Sequence, residues 1–272
     1  MGEIKINGVN RPRWFAENDS KAWAEKFFLI YSPVWMAFMG LTMVMGWVKE
    51  WSDIGFMFQA CIVALPLFFY PLLFRKENTP IHQTYWFKAN VYIFVFGFFG
   101  NYVGSEYFFD VLGMVYNYPA IQWNFDAALV GSGEQKVPVI MYLLTHAYFM
   151  TYHTSAIVVL RRIKTSGLPW MWALFPIMLF VIGYAWAWAE TKAMANPMIE
   201  ESFYYKDKAR MLAYGSIMYA CYFIASFPIF YFLDEDKNKR WSLWVVIAAA
   251  FSASMLTLYL LDFWTQYIGA IA

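Results

Sequence analysis

Charge is what this chain has least of. Only 14% of its 272 residues are charged, against about 25% in an ordinary soluble domain. Net charge is +1, so no basic field exists to attract nucleic acid. Histidine is scarce too, with three residues, His82, His146 and His153. That is too few for a membrane di-iron centre. The two cysteines, Cys61 and Cys221, sit in apolar runs and read as small core residues rather than a disulfide or metal site. No lysine lies in the last apolar run, which excludes a retinal Schiff base there. No Gly-x-Ser-Gly nucleophile site, repeated Asp motif, internal repeat or cofactor fingerprint is visible, and the metal expectation is none. The first 26 residues lack a short apolar core followed by a small-residue cleavage site, so they do not read as a signal peptide.

What the chain has instead is apolar length. Hydrophobic residues make up 61% and aromatics 22%. A water-soluble globule of this size cannot bury that much apolar surface. The expected class is all-α, a polytopic membrane bundle, because a spanning helix needs about 20 apolar residues. Runs of that length fall at Phe27–Val48, Ile54–Phe74, Tyr85–Gly104, Val137–Leu160, Pro169–Ala189, Ala209–Leu233 and Trp241–Ile268. The reading is therefore about seven transmembrane helices. Residues 1–26 form a polar segment with a short interfacial helix at Ser20–Lys26, and residues 27–272 form one bundle domain. Fourteen of the twenty Lys and Arg fall on the side of the N-terminus, which places that side in the cytoplasm. The acidic run Asp234-Glu235-Asp236 reads as a solvated loop. Either the endoplasmic reticulum or a bacterial inner membrane fits the composition.

Ionisable groups at membrane depth are costly and mark candidate sites. Five stand out: Glu106 at the far end of the third run, His146 and His153 on the fourth, Glu190 ending the fifth, and Asp262 late in the seventh. All but His153 fall in the half away from the N-terminus. His146 and His153, seven apart, share one helix face about 10 Å apart along the axis. Blander readings stand beside these. Glu190 and Asp262 also fit an interfacial position, and a lone histidine in a bundle is often a packing residue. Asn90, Asn101 and Asn196 suit interhelical hydrogen bonds. Aromatics crowd the third run and its exit, and Trp186, Trp188 and Trp264 flank the acids. Most suit lipid and the interface. A subset suits a pocket for a flat apolar ligand, where ring faces also stabilise a carbocation. An acid, a base and aromatic faces in a dry site fit proton-in, proton-out chemistry without a cofactor.

Several ordered blocks then stand out. They are Tyr85-Trp86-Phe87-Lys88-Ala89-Asn90, Gly100-Asn101-Tyr102, Tyr107-Phe108-Phe109-x-Val111-Leu112-Gly113, Leu144-Thr145-His146, Tyr152-His153 and Leu160-Arg161-Arg162. Glu190-Thr191 with Ala195-Asn196, Tyr222-Phe223-Ile224-x-Ser226-Phe227-Pro228, Asp234-Glu235 and Leu261-Asp262-x-Trp264 follow in order. Together they resemble the cycloeucalenol cycloisomerases, plant sterol enzymes, from about Trp23 to Gly269. The resemblance implies opening of a 9β,19-cyclopropane ring to a Δ8 sterol through protonation and deprotonation. One position departs: the plant pattern has a histidine where this chain has Glu106. The segment from Phe125 to Lys136 is also longer.

The proton-transfer set is expected among Glu106, His146 and Glu190, with His153 and Asp262 as supporting or alternative members. Asn101, Tyr102, Tyr152, Trp186 and Trp264 are the candidate substrate contacts. The expected partners are a sterol and the lipid bilayer, with no nucleic acid and no protein partner implied. A sterol Δ8–Δ7 isomerase and a non-enzymatic sterol-binding membrane protein use the same parts and remain alternatives.

Overall fold

A computed structural model describes residues 5–6, 9–10, 12–75 and 78–271 of the chain. A two-residue ladder, β1 (Lys5–Ile6) with β2 (Val9–Asn10), precedes the first helix. The helices follow as α1 (Asp19–Val44), α2 (Asp53–Phe74), α3 (Tyr85–Tyr102) and α4 (Gly104–Asp110). After β3 (Met114–Tyr116) come α5 (Val139–Lys164) and α6 (Met171–Met194). Then β4 (Phe203–Tyr205) leads through α7 (Lys208–Arg210) and a π turn (Met211–Gly215) into α8 (Ser216–Phe232) and finally α9 (Leu243–Ile268). Five helical stretches are long and apolar enough to cross a membrane: α1, α2, α6, the run from α7 through α8, and α9. Large apolar side chains such as Ile30, Phe58, Leu73, Trp172, Ile177 and Tyr259 are exposed on α1, α2, α6 and α9. That is the surface a bilayer covers.

Local chemistry starts these helices where it should. Asn18 caps α1, its side-chain oxygen accepting from the N–H of Ser20 and Lys21. Thr84 caps α3 and Ser242 caps α9 in the same way. The polar segment expected as a separate interfacial helix is instead the opening of α1, because this cap begins the helix at Asp19.

Prolines inside α2 create the first tertiary contacts. Pro71 has no N–H for the Leu67 carbonyl, so Trp86 Nε1 (2.7 Å) and Asn90 Nδ2 (3.3 Å) of α3 donate to it. Pro66 likewise leaves the Ile62 carbonyl free, and the Tyr31 hydroxyl of α1 reaches it at 2.9 Å.

At the centre stands α5, packed against α1, α2, α3, α6 and α8. It is the most polar of the long helices because its neighbours, not lipid, receive its side chains. Ser32 Oγ and Trp35 Nε1 both meet Thr151 Oγ1, at 2.8 and 3.0 Å. His153 is sealed in the same way. Its Nδ1 donates to the Phe149 carbonyl (2.7 Å), Nε2 meets Ser226 Oγ (2.8 Å), and Phe227 and Phe230 ring it at 4.9 and 5.2 Å.

A charge cluster closes the end that holds the start of α1. Arg161, fully buried, clasps Glu25 (2.6 Å) and Glu235 (2.7 Å). Lys21 bonds Glu235 (2.9 Å) and the carbonyls of Tyr231 and Leu233, and Lys88 pairs with Asp234 (2.6 Å). One expectation fails here in part. Asp234 of the acidic run is 1% exposed, while Asp236 is exposed as expected. Helix α5 runs on to Lys164 and carries Arg161 into the interior.

The opposite end is roofed by the two long connections. Met114, Val115 and Tyr116 pair antiparallel with Tyr205, Tyr204 and Phe203. Alternation along a strand puts Met114, Tyr116, Phe203 and Tyr205 on one face, and that face looks into the bundle. Asp53 holds the roof by accepting from the N–H of Gln122 and Trp123 (3.0 and 2.9 Å).

Candidate active site

Beneath the roof lies a cavity with about 970 Å³ of empty space, its open mouth included. Helices α1, α2, α3, α5, α6 and α8 and the short α4 all reach it. Methionine and aromatic side chains dominate its wall: Met39, Met43, Met141, Phe108 and Phe149 among them. Such walls suit a large apolar ligand with a few fixed polar contacts.

Among the lining residues Glu190 is the one carboxylate. It rides on the last turns of α6, half-buried. The Tyr219 hydroxyl of α8 donates to its Oε2, and the Tyr152 hydroxyl of α5 approaches the same group. Tyr219 is set in place just after the π turn, a local widening of the helix that often accompanies functional sites. Around this pair stand Tyr148, Tyr222, Phe108 and Phe149, whose rings face the same space. The Tyr222 hydroxyl has no partner among the described residues. Gly104 makes room for it, since a Cβ there would collide with the hydroxyl.

Asn101 also lines the cavity, but its amide is satisfied. It donates to the Gly97 carbonyl (2.8 Å) and accepts from Thr145 Oγ1 (3.1 Å).

The remaining expected residues lie elsewhere. The third helix stops at Tyr102, and Glu106 falls on the separate α4. There it is 3% exposed and faces the Gly131–Gly133 turn, not the cavity. Gly131 has φ +80°, and a side chain there would strike the Glu106 carboxylate. Burial pushes the Glu106 carboxyl up, while the Gly133 backbone pulls it down and Asp110 adds to the rise. His146 is buried against Phe68, behind the cavity wall. Its Nε2 donates to Asn90 Oδ1 (2.8 Å), because the Asn90 amide nitrogen is committed to the Trp86 and Leu67 carbonyls. Its Nδ1 has no partner among the described residues.

His153 is locked in the aromatic box described above and does not line the cavity. Asp262 is exposed on α9, bonded to Gln266 Nε2 at 3.0 Å. Glu106, His146 and Glu190 therefore do not meet as one constellation. Helix rotation sends them to three environments. Tyr152 and Trp186 pack against each other, tilted, with ring centroids 4.5 Å apart beside Glu190, outside the cavity lining. Tyr102 stacks on Phe98 at 5.5 Å and meets Phe125 at a tilt at 5.1 Å, and Trp264 packs against the core from α9.

Sequence reading missed Tyr219, Tyr148, Tyr222, Gln59 and the roof tyrosines Tyr116, Tyr118 and Tyr205. Neutral hydroxyls and amides in an aromatic-rich chain carry little signal of their own. Among the described residues, no group of three or more His, Cys, Asp and Glu is placed to hold a metal ion.

No protein-family model matches the chain. No solved structure matches it either. A curated protein does: the Arabidopsis thaliana protein named cycloeucalenol cycloisomerase is 34% identical over 276 aligned positions, covering 98% of this chain and 93% of that one. A match of that depth, end to end, means that the chain belongs to the cycloeucalenol cycloisomerase family, a family of isomerases.

Proposed function

We propose that this protein opens the 9β,19-cyclopropane ring of a cyclopropyl sterol, giving a Δ8 sterol, inside the roofed cavity. The observation that carries the reading is Glu190, the one carboxylate lining a methionine and aromatic cavity, held by Tyr219. The relative's name supplies the substrate class, a cycloeucalenol-like sterol.

The chemistry balances without a second substrate. A proton adds to carbon 19 as the bond from carbon 9 to carbon 19 breaks. Carbon 19 becomes a methyl group and positive charge develops at carbon 9. Loss of a proton from carbon 8 forms the Δ8 double bond. One proton enters, one leaves, and no electron is gained or lost, so no resident cofactor is required. Glu190 is the proton-transfer group, held in place by the Tyr219 hydroxyl. The rings of Phe108, Phe149 and Tyr222 stabilise the cation, each worth up to about 2 kcal/mol where water is absent. The roof keeps out water that would trap it.

The bundle sits in a bilayer with about seven spans and the charge-cluster end in the cytoplasm, so the roofed cavity lies toward the opposite face. That membrane is the endoplasmic reticulum in a eukaryote or the inner membrane in a bacterium.

Turnover in deuterated water tests the reaction. Purified protein in liposomes is given cycloeucalenol and, separately, cycloartenol, and products are read by gas chromatography and mass spectrometry. The expected product is a Δ8 sterol with one deuterium on the carbon-19 methyl. Protein that binds either sterol and converts neither would overturn the reading. Movement of a Δ8 double bond to Δ7 would replace it.

A further inference from the structure

Gln59 is an amide in the middle of an otherwise apolar helix, and it is 1% exposed. Burying an amide without partners is costly, so each of its hydrogen-bonding groups needs a destination. The amide nitrogen has one. It lies 2.8 Å from Thr42 Oγ1 and 3.2 Å from Met39 Sδ, both on α1.

The orientation of this amide is dictated by its neighbour. Thr42 has a single hydroxyl proton, and that proton goes to the Met39 carbonyl at 2.8 Å. The Thr42 oxygen can then only accept. Gln59 must therefore present its NH₂ to Thr42, and its carbonyl oxygen must point away. Gln59 lines the cavity, and its carbonyl oxygen has no donor among the described residues. Two other polar groups of the wall differ: Asn101 is satisfied by Thr145 and Gly97, and Glu190 is held by Tyr219. The cavity thus carries one fixed, uncharged acceptor on α2. It lies on the α1–α2 side of α5, whereas Glu190 and Tyr219 lie on the α6–α8 side.

We infer that Gln59 is the substrate-orienting residue, its carbonyl accepting the hydrogen bond of the sterol 3-hydroxyl. The inference rests on the sterol-isomerase reading for the identity of the ligand. An acceptor with its donors already committed selects a ligand O–H and leaves a buried carbonyl unpaired when the hydroxyl is missing. Anchoring the hydroxyl on one wall fixes the sterol's register in a cavity that is otherwise apolar and unspecific.

The test compares kcat/KM for cycloeucalenol and its 3-deoxy analogue in the full-length protein. Wild type is expected to prefer the hydroxylated sterol by at least tenfold, about 1.4 kcal/mol. Gln59→Leu is expected to bring that ratio to near one, mainly through KM for the hydroxylated sterol. Thr42→Val keeps the glutamine but frees its amide to turn, and the preference is expected to fall part of the way. A purely structural Gln59 would lower both substrates equally and leave the ratio intact, which overturns the inference. So does a wild type without preference. Equilibrium binding of the same two labelled sterols separates the two readings. Hydroxyl-selective binding that Gln59→Leu erases, with no turnover by wild type, keeps the Gln59 assignment and sinks the isomerase.

Discussion

The two ends of the bundle treat buried polarity in opposite ways. At the end where α1 begins, Lys21, Lys88 and Arg161 meet Glu25, Asp234 and Glu235, three cations against three anions, and each has a charged partner. Backbone carbonyls take up spare donors: Lys21 bonds two and Arg161 bonds that of Trp14. Around the cavity the buried polar groups lack charged partners. Glu190 has tyrosines rather than a cation, and among the described residues neither the Tyr222 hydroxyl nor the Gln59 carbonyl oxygen has a partner. Buried charge that is fully paired ties helices together and has no capacity left for a ligand. Buried polarity that is incompletely paired costs stability, and that cost is what makes it available for binding and proton transfer. One end is built as a clamp, the other as a site.

Four measurements break or sharpen that contrast. The largest effect is expected from Glu190→Gln. It removes the titrating carboxyl but keeps its shape, and general acid–base groups contribute about 10²–10⁴-fold. Turnover should fall by that factor while the thermal unfolding midpoint in detergent stays in place. Activity near wild type would remove Glu190 from the chemistry. Next comes Arg161→Leu, which strands the buried Glu25 carboxylate and leaves Glu235 with Lys21 alone. Breaking a buried pair in this way costs about 3–5 kcal/mol. The unfolding midpoint should drop sharply, and whatever remains folded should keep its product profile. A lost activity with unchanged stability would mean the clamp is part of the site.

The third concerns pH at the clamp. Burial pushes the Glu235 carboxyl up, but hydrogen bonds and charge from Arg161 and Lys21 outweigh it and hold it below the ordinary glutamate value. A lowered folded pKa contributes stability that is present above the unfolded value, about 4.3, and is lost as pH falls through the folded one. Glu235→Gln should therefore flatten the acid side of a stability-against-pH curve. An unchanged acid limb would show that other groups dominate it. The smallest effect is expected at Glu106→Gln. Because the Glu106 carboxyl is raised, its charged form is disfavoured by folding, and the stability associated with its protonated form is lost as pH rises through the raised value. Glutamine removes that loss, so the variant should gain stability at neutral pH relative to acid pH. Turnover should change far less than for Glu190→Gln. A large loss of turnover at Glu106 would place the roof loop in the reaction.

Much of the architecture was legible in the residues. Apolar runs of spanning length mark where the long helices lie, and Asn18, Thr84 and Ser242 mark three of their starts. The candidate site was legible only in part. Glu190 stood out as an acid at membrane depth, and the structure lines the cavity with it. Gln59 sent the same kind of signal, a polar side chain within the apolar run of α2, but an uncharged one that composition does not flag. Glu106, His146 and Asp262 sent strong signals and lie away from the cavity. Charge at depth says that a group needs a solution, not which solution it found. For Asp262 it is an exposed helix face and for His146 the Asn90 amide, whereas both Glu106 oxygens, packed against Gly131, have no hydrogen-bond partner among the described residues.

The amino-acid sequence by itself determined the helices, their approximate ends and their need for an apolar surrounding, because helix capping, span length and hydrophobicity are local properties. Tertiary structure alone decided which polar groups meet. The helical period relates residues on one helix, but says nothing of the rotation of that helix against its neighbours. That rotation buries Arg161 between Glu25 and Glu235, turns Glu190 onto Tyr219, and sets Gln59 in the cavity wall.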